Sequence, residues 1–79
     1  MNIKAAILSI LNACGSYSLT AGTLKAEVKG RIGGPVGDLE FGEALVFLQD
    51  KGLVSGRIDA LTLDARYYIT GLGKTAAAQ

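Results

Sequence analysis

Apolar positions recur along this chain at two different periods, and the change of period maps its elements. Ile3, Ile7, Ile10, Leu11 and Cys14 return every three or four residues, the spacing that lines one face of an α-helix. Gly15 stands where such a helix stops in a left-handed C′ conformation, which a residue without a Cβ adopts at no steric cost. Ala5, Ala6 and Leu8 widen the face beyond a single stripe, so the first helix is expected to be well buried or shared with another subunit. Ser16-Tyr17-Ser18-Leu19-Thr20 has the length of one brief strand, and the Thr20 hydroxyl is placed to cap a second helix. In that helix Ala21, Leu24 and Val28 share one face, with Lys25 and Lys29 together on another. The segment Gly30–Gly37 holds four glycines and the only proline and is expected to break the helix, with Ile32 and Val36 anchoring it to the core.

A third helix is predicted from near Asp38. Asp38 and Glu40 complement the helix dipole in its first turn. Phe41, Leu45 and Leu48 form its inward stripe with Ala44 beside them, and Phe47 is expected to wedge between this helix and the strands that follow. Lys51 falls in the last turn and Gly52 supplies the stop. Beyond Gly52 the period becomes two. One strand runs from Leu53 and Val54 to about Asp59, Ala60–Asp64 turns, and Ala65–Thr70 returns. Tyr67 and Ile69 then share one face, with Arg66, Tyr68 and Thr70 on the other. Thr70 is placed to cap a short last helix, Gly71–Ala78, which Gly71 and Gly73 weaken at its start.

Length and composition narrow the class. The 79 residues suit one α+β domain, mainly α, spanning 1–79. A hydrophobic fraction of 49% argues against disorder. No apolar run approaches the roughly 18 residues that span a bilayer. Ile3–Leu11 has Lys4 as its only basic residue and no convincing cleavage site after it, so no signal peptide is expected. A cytoplasmic, reducing compartment fits best. The single cysteine cannot form an internal disulfide, and the absence of histidine excludes a Cys/His metal site and His-based acid–base catalysis. Without a Gly-x-Ser-x-Gly turn or a phosphate loop, no enzyme, cofactor or metal is expected. The net charge of +1 gives no basic excess, so any nucleic-acid affinity depends on how the charges are distributed.

Two stretches carry a family resemblance. Ala44-Leu45-x-x-Leu48-x-x-Lys51-Gly52-Leu53-Val54 and Tyr67-x-Ile69-Thr70-x-x-Gly73 resemble signatures of small winged helix-turn-helix regulators, notably the PadR-like and MarR-like groups. That resemblance implies a winged helix: a three-helix bundle, a two- or three-stranded β-wing and a short C-terminal helix. It implies a transcriptional regulator acting as a homodimer on double-stranded DNA, with helix three in the major groove and the wing on the backbone or minor groove. The over-apolar first helix is the expected dimer contact.

On that reading Lys25, Lys29 and Arg31 approach DNA from helix two and its exit, and Arg57 and Arg66 from the wing strands, where they are expected to face each other or to pair with Asp59 and Asp64. Gly42, Val46 and Gln49 lie on the outward side of helix three with Glu43. Gln49 suits an adenine edge, Val46 a thymine methyl, and Gly42 a close backbone. Gly33-Gly34 reads either as an anion-binding nest or as a permissive turn. The alternative is a protein partner in place of DNA. Asp38, Glu40, Glu43 and Asp50 give helix three four carboxylates against one lysine, and Leu61 and Leu63 place apolar side chains at the wing tip. An exposed Phe47 favours that alternative.

Overall fold

The computed structural model describes residues 2–15 and 17–78. Seven elements follow in the order α1 (Ile3–Cys14), β1 (Leu19–Thr20), α2 (Ala21–Ile32), α3 (Asp38–Asp50), β2 (Val54–Ile58), β3 (Ala65–Ile69) and α4 (Gly71–Ala77). The strands form one antiparallel sheet in the order β1-β3-β2. Only Leu19 and Thr20 of the expected first strand pair with β3; Ser16 lies outside the described residues.

Local signals account for most boundaries. Asn2 opens α1 by accepting the Ala5 N–H at 2.7 Å, satisfying one of the donors a helix start leaves unpaired. The apolar face of α1 is consumed within its own chain: Ala6, Ile7, Ile10 and Leu11 are buried, and the helix packs on α2, α3 and α4. Gly15 ends it with a positive φ of 65°, but at ψ −114°, outside the left-handed helical region. Cys14 is half-buried.

The expected break at Gly30 does not occur. Helix α2 runs through Gly30 and Arg31 to Ile32 and stops at Gly33. One helical glycine costs about 1 kcal/mol, which the packing of Val28 and Ile32 against the core outweighs. Gly33 takes a left-handed conformation (φ 76°, ψ 24°) and donates its N–H to the Lys29 carbonyl at 2.8 Å, so it serves as a helix cap. Val36 is buried in the following loop, as its anchoring role requires.

Helix α3 buries Phe41, Ala44, Leu45 and Leu48. Its end at Gly52 (φ 74°) is a Schellman motif: the Leu53 N–H reaches the Leu48 carbonyl at 2.9 Å and the Gly52 N–H the Gln49 carbonyl at 3.0 Å. The hairpin then pairs Val54 with Ile69, both buried, and seats the wing on the core. At its far end Thr70 joins three segments. Its hydroxyl accepts the Gly73 N–H at 3.0 Å to cap α4 and donates to the Gly52 carbonyl at 2.6 Å, while its own N–H reaches the Leu53 carbonyl at 3.1 Å.

Candidate nucleic-acid interface

The outer face of the sheet carries two arginines without a carboxylate partner among the described residues. Residues opposite each other in an antiparallel pair point to the same side. The register Val54↔Ile69 places those two inward, so Ser55↔Tyr68 and Arg57↔Arg66 face outward. The two arginines are thus directly opposed, an arrangement that is destabilising on its own.

Each guanidinium finds a neutral neighbour. Arg66, half-buried, donates from Nε to the Ser18 hydroxyl at 2.9 Å and from Nη2 to the Ser18 carbonyl at 3.2 Å. Arg57, exposed, lies 5.5 Å from the centroid of the Tyr68 ring. The Ser55 hydroxyl and then the Arg57 guanidinium hold the Tyr68 phenol below its ordinary value. Among the described residues the ion pair is Lys25 with Asp38, so neither wing arginine is neutralised by a carboxylate. Arginine has five N–H donors in a rigid fork, and those not spent on Ser18 suit the paired oxygens of a phosphate.

Asp59 does not pair with these arginines. Its carboxylate accepts the backbone N–H groups of Leu61 at 2.8 Å and Thr62 at 3.2 Å. These bonds, the Leu61 one first, hold it below the usual carboxylate range, with a smaller attraction from Arg66. The turn it ties carries Leu61 at 95% exposure and Leu63 at 76% exposure, the latter at φ 62°.

The basic residues of α2 do not form one cluster. Lys25 pairs with Asp38 at the start of α3, whereas Arg31 donates to the Ser9 hydroxyl of α1 at 2.8 Å. Six residues at about 100° each put these side chains about 120° apart around the helix. Lys29 is exposed.

On α3, Glu43, Val46 and Gln49 are exposed and Gly42 is half-exposed. Gln49 lies at the junction with the wing, its Oε1 3.4 Å from where a Cβ on Gly56 would stand. Phe47 is not wedged between α3 and the wing. It lies on the opposite flank, 40% exposed, with Lys4 Nζ of α1 at 4.0 Å and Lys51 Nζ at 5.6 Å from its ring centroid. Two residues rotate a helical position by about 200°, so Phe47 and Gln49 cannot both face the hairpin.

The strand alternation places Tyr68 on the face of Arg66 without giving it a role, and nothing in the sequence singles out Ser18 or Leu39 as surface features beyond Leu39 standing seven residues before Val46. Ser18 carried no signal, because its contact with Arg66 spans 48 positions.

Among the described residues no helix is long and apolar enough to cross a membrane. No protein-family model and no curated protein matches the chain. Solved structures do. SSV1 F-93 superimposes with a TM-score of 0.78 at 23% identity, covering 99% of this chain and 80% of that one. H. salinarum RosR gives 0.82 at 23% identity, covering 99% and 67%. A MarR-family transcriptional regulator from Silicibacter pomeroyi gives 0.79 at 29% identity, covering 96% of this chain but 46% of that one, so the chain spans less than half of that regulator. The fold is a winged helix-turn-helix, with α2 and α3 as the helix pair and β2–β3 as the wing.

Proposed function

We propose that this winged helix is the DNA-binding unit of a transcriptional regulator and meets the double-stranded backbone through the outer face of its wing. The observation that carries this reading is the Arg57–Arg66 pair: two guanidinium groups directly across a strand ladder, with no carboxylate paired to either among the described residues. Opposed like charges cost stability in the free chain, a cost that an anion bound at both would offset. Phosphate oxygens fit that role, and the likeness to a MarR-family transcriptional regulator supports it. Lys29 is a further exposed cation on α2. Lys25 contributes less, since Asp38 neutralises it, whereas Arg31, exposed and bonded only to the neutral Ser9 hydroxyl, keeps its charge as Arg66 does.

Gln49 is the α3 residue best suited to a base edge, because it is exposed beside the wing and carries both a donor and an acceptor. The rest of the outward strip of α3, Val46 among it, is apolar or acidic and offers phosphates nothing. The contact is therefore small, and affinity should be modest. For the expected dimer, α1 offers a second copy Lys4, Ala5, Asn12 and Ala13, which are exposed, with Ile3 and Leu8 half-buried beside them.

Fluorescence anisotropy of a labelled duplex, repeated across salt, tests the proposal. Two to four phosphate contacts predict a log–log slope of roughly −2 to −4. A flat salt response, or no binding at low salt, removes it.

A further inference from the structure

The outward strip of α3 is unlike the wing. Leu39 and Val46 stand two turns apart on one side of the helix, 75% and 56% exposed, with Gly42 between them and Phe47 on the flank. A side chain at Gly42 would meet nothing within 4 Å, so the strip is open at its middle. Together these residues line a shallow groove of about 550 Å³ whose remaining walls are Asp38, Glu43 and Asp50. An adjoining cleft of about 710 Å³ continues the surface past Glu43 and Phe47, with Ile3 and Val36 among its lining residues and Lys4 and Glu40 on its rim.

Large apolar side chains in the centre of an otherwise solvated helix face gain by being covered. The rim decides what covers them. Glu40, Glu43 and Asp50 have no ion-pair partner among the described residues, and these three carboxylates outnumber the two lysines, Lys4 and Lys51, that lie over the Phe47 ring at one edge. A phosphate backbone is repelled by such a rim and gains nothing from the leucine and valine. A cationic amphipathic helix satisfies both parts. Its apolar residues, spaced three and four apart, fill the groove between Leu39, Val46 and Phe47, and its flanking lysines or arginines meet the carboxylates.

We propose that the outer face of α3 docks a basic amphipathic helix of a partner protein. The docking surface shares no residue with the wing arginines, so it stands whether or not the wing binds DNA, but it adjoins Gln49, and a duplex reaching that side chain would compete with the helix.

The test is a titration of the ¹⁵N-labelled chain with a synthetic leucine–lysine amphipathic peptide of about 14 residues, four helical turns. Two controls accompany it: the same composition in scrambled order, and the same pattern with glutamate for lysine. Saturable binding is expected, with amide shifts concentrated at Leu39, Gly42, Glu43, Val46, Phe47 and Asp50. Val46→Lys, at an exposed position that leaves folding intact, should weaken binding about tenfold, as loss of a central apolar anchor does. Glu43→Gln with Asp50→Asn should weaken it severalfold and flatten its salt dependence. Equal binding of the scrambled or the acidic peptide overturns the proposal. So do shifts centred on α1 or the wing, or an unaffected Val46→Lys variant. Duplex DNA shifting the Leu39, Gly42 and Glu43 amides also overturns it, whereas DNA shifts confined to the wing and to the Gln49 end of α3 leave it standing.

Discussion

Gly73 of α4 lies against the carbonyl group of Leu53, so closely that a Cβ on Gly73 would overlap that oxygen and come within 2.7 Å of Ile69 Cγ1. Gly73 is buried, and the same carbonyl accepts the Thr70 N–H. The helix, the end of the wing and the exit from α3 therefore meet at a point where only a hydrogen fits. Gly73→Ala should destabilise the fold by at least ~2 kcal/mol, as overpacking against backbone does, despite alanine's better helix propensity. Gly30→Ala is the control: its Cβ would meet nothing within 4 Å, so it should stabilise by about 0.5–1 kcal/mol. Urea melts of the two variants separate close packing from propensity. Equal effects would refute the packing argument.

Arg57 and Arg66 oppose stability and binding to each other. Arg57→Ala removes one of two like charges facing across the ladder, so stability should be unchanged or rise by up to about 0.5 kcal/mol. DNA affinity should fall, and the salt slope should flatten by about one. Arg66→Ala also loses the bonds to Ser18 and should lower stability as well. Anisotropy and thermal melts on both variants check the pair.

Leu63 adopts a positive φ of 62° and is largely exposed to solvent. A branched residue there pays strain without burial in return. Leu63→Asn should raise stability by up to about 1 kcal/mol, because asparagine tolerates this conformation without the added unfolded-state freedom of glycine. A lower melting temperature would show that Leu63 makes a stabilising contact.

Acid should loosen the wing turn. The Asp59 carboxyl sits below its ordinary value because the Leu61 and Thr62 N–H groups favour its ionised form. The folded turn thus holds this proton less readily than the unfolded chain. Its contribution is complete above the ordinary carboxyl range near pH 4 and disappears as pH falls through the lower folded value. Amide shifts of Leu61 and Thr62 should follow that acid transition. Asp59→Asn keeps an acceptor in the turn and should abolish it.

The element order, the caps at Thr20, Gly52 and Thr70 and the inward stripes were legible because their causes are local. Thr20, Gly52 and Thr70 bond within a few residues or satisfy a backbone rule at one position. The alternation that puts Arg57 opposite Arg66 is likewise a property of the strands and their turn. Gly30 misled, because a glycine within a helix is a small cost that core contacts elsewhere can outweigh.

Sequence alone determined a helix bundle handing over to a hairpin at Gly52, since backbone hydrogen bonding and hydrophobic period act over short distances. Tertiary structure alone decided that Lys25 is taken by Asp38 and Arg31 by Ser9, that Phe47 turns toward Lys4, and that Gly73 must stay bare. Those outcomes depend on which helix flank faces which neighbour. That is fixed only when the buried faces pack and bring distant parts of the chain within bonding reach.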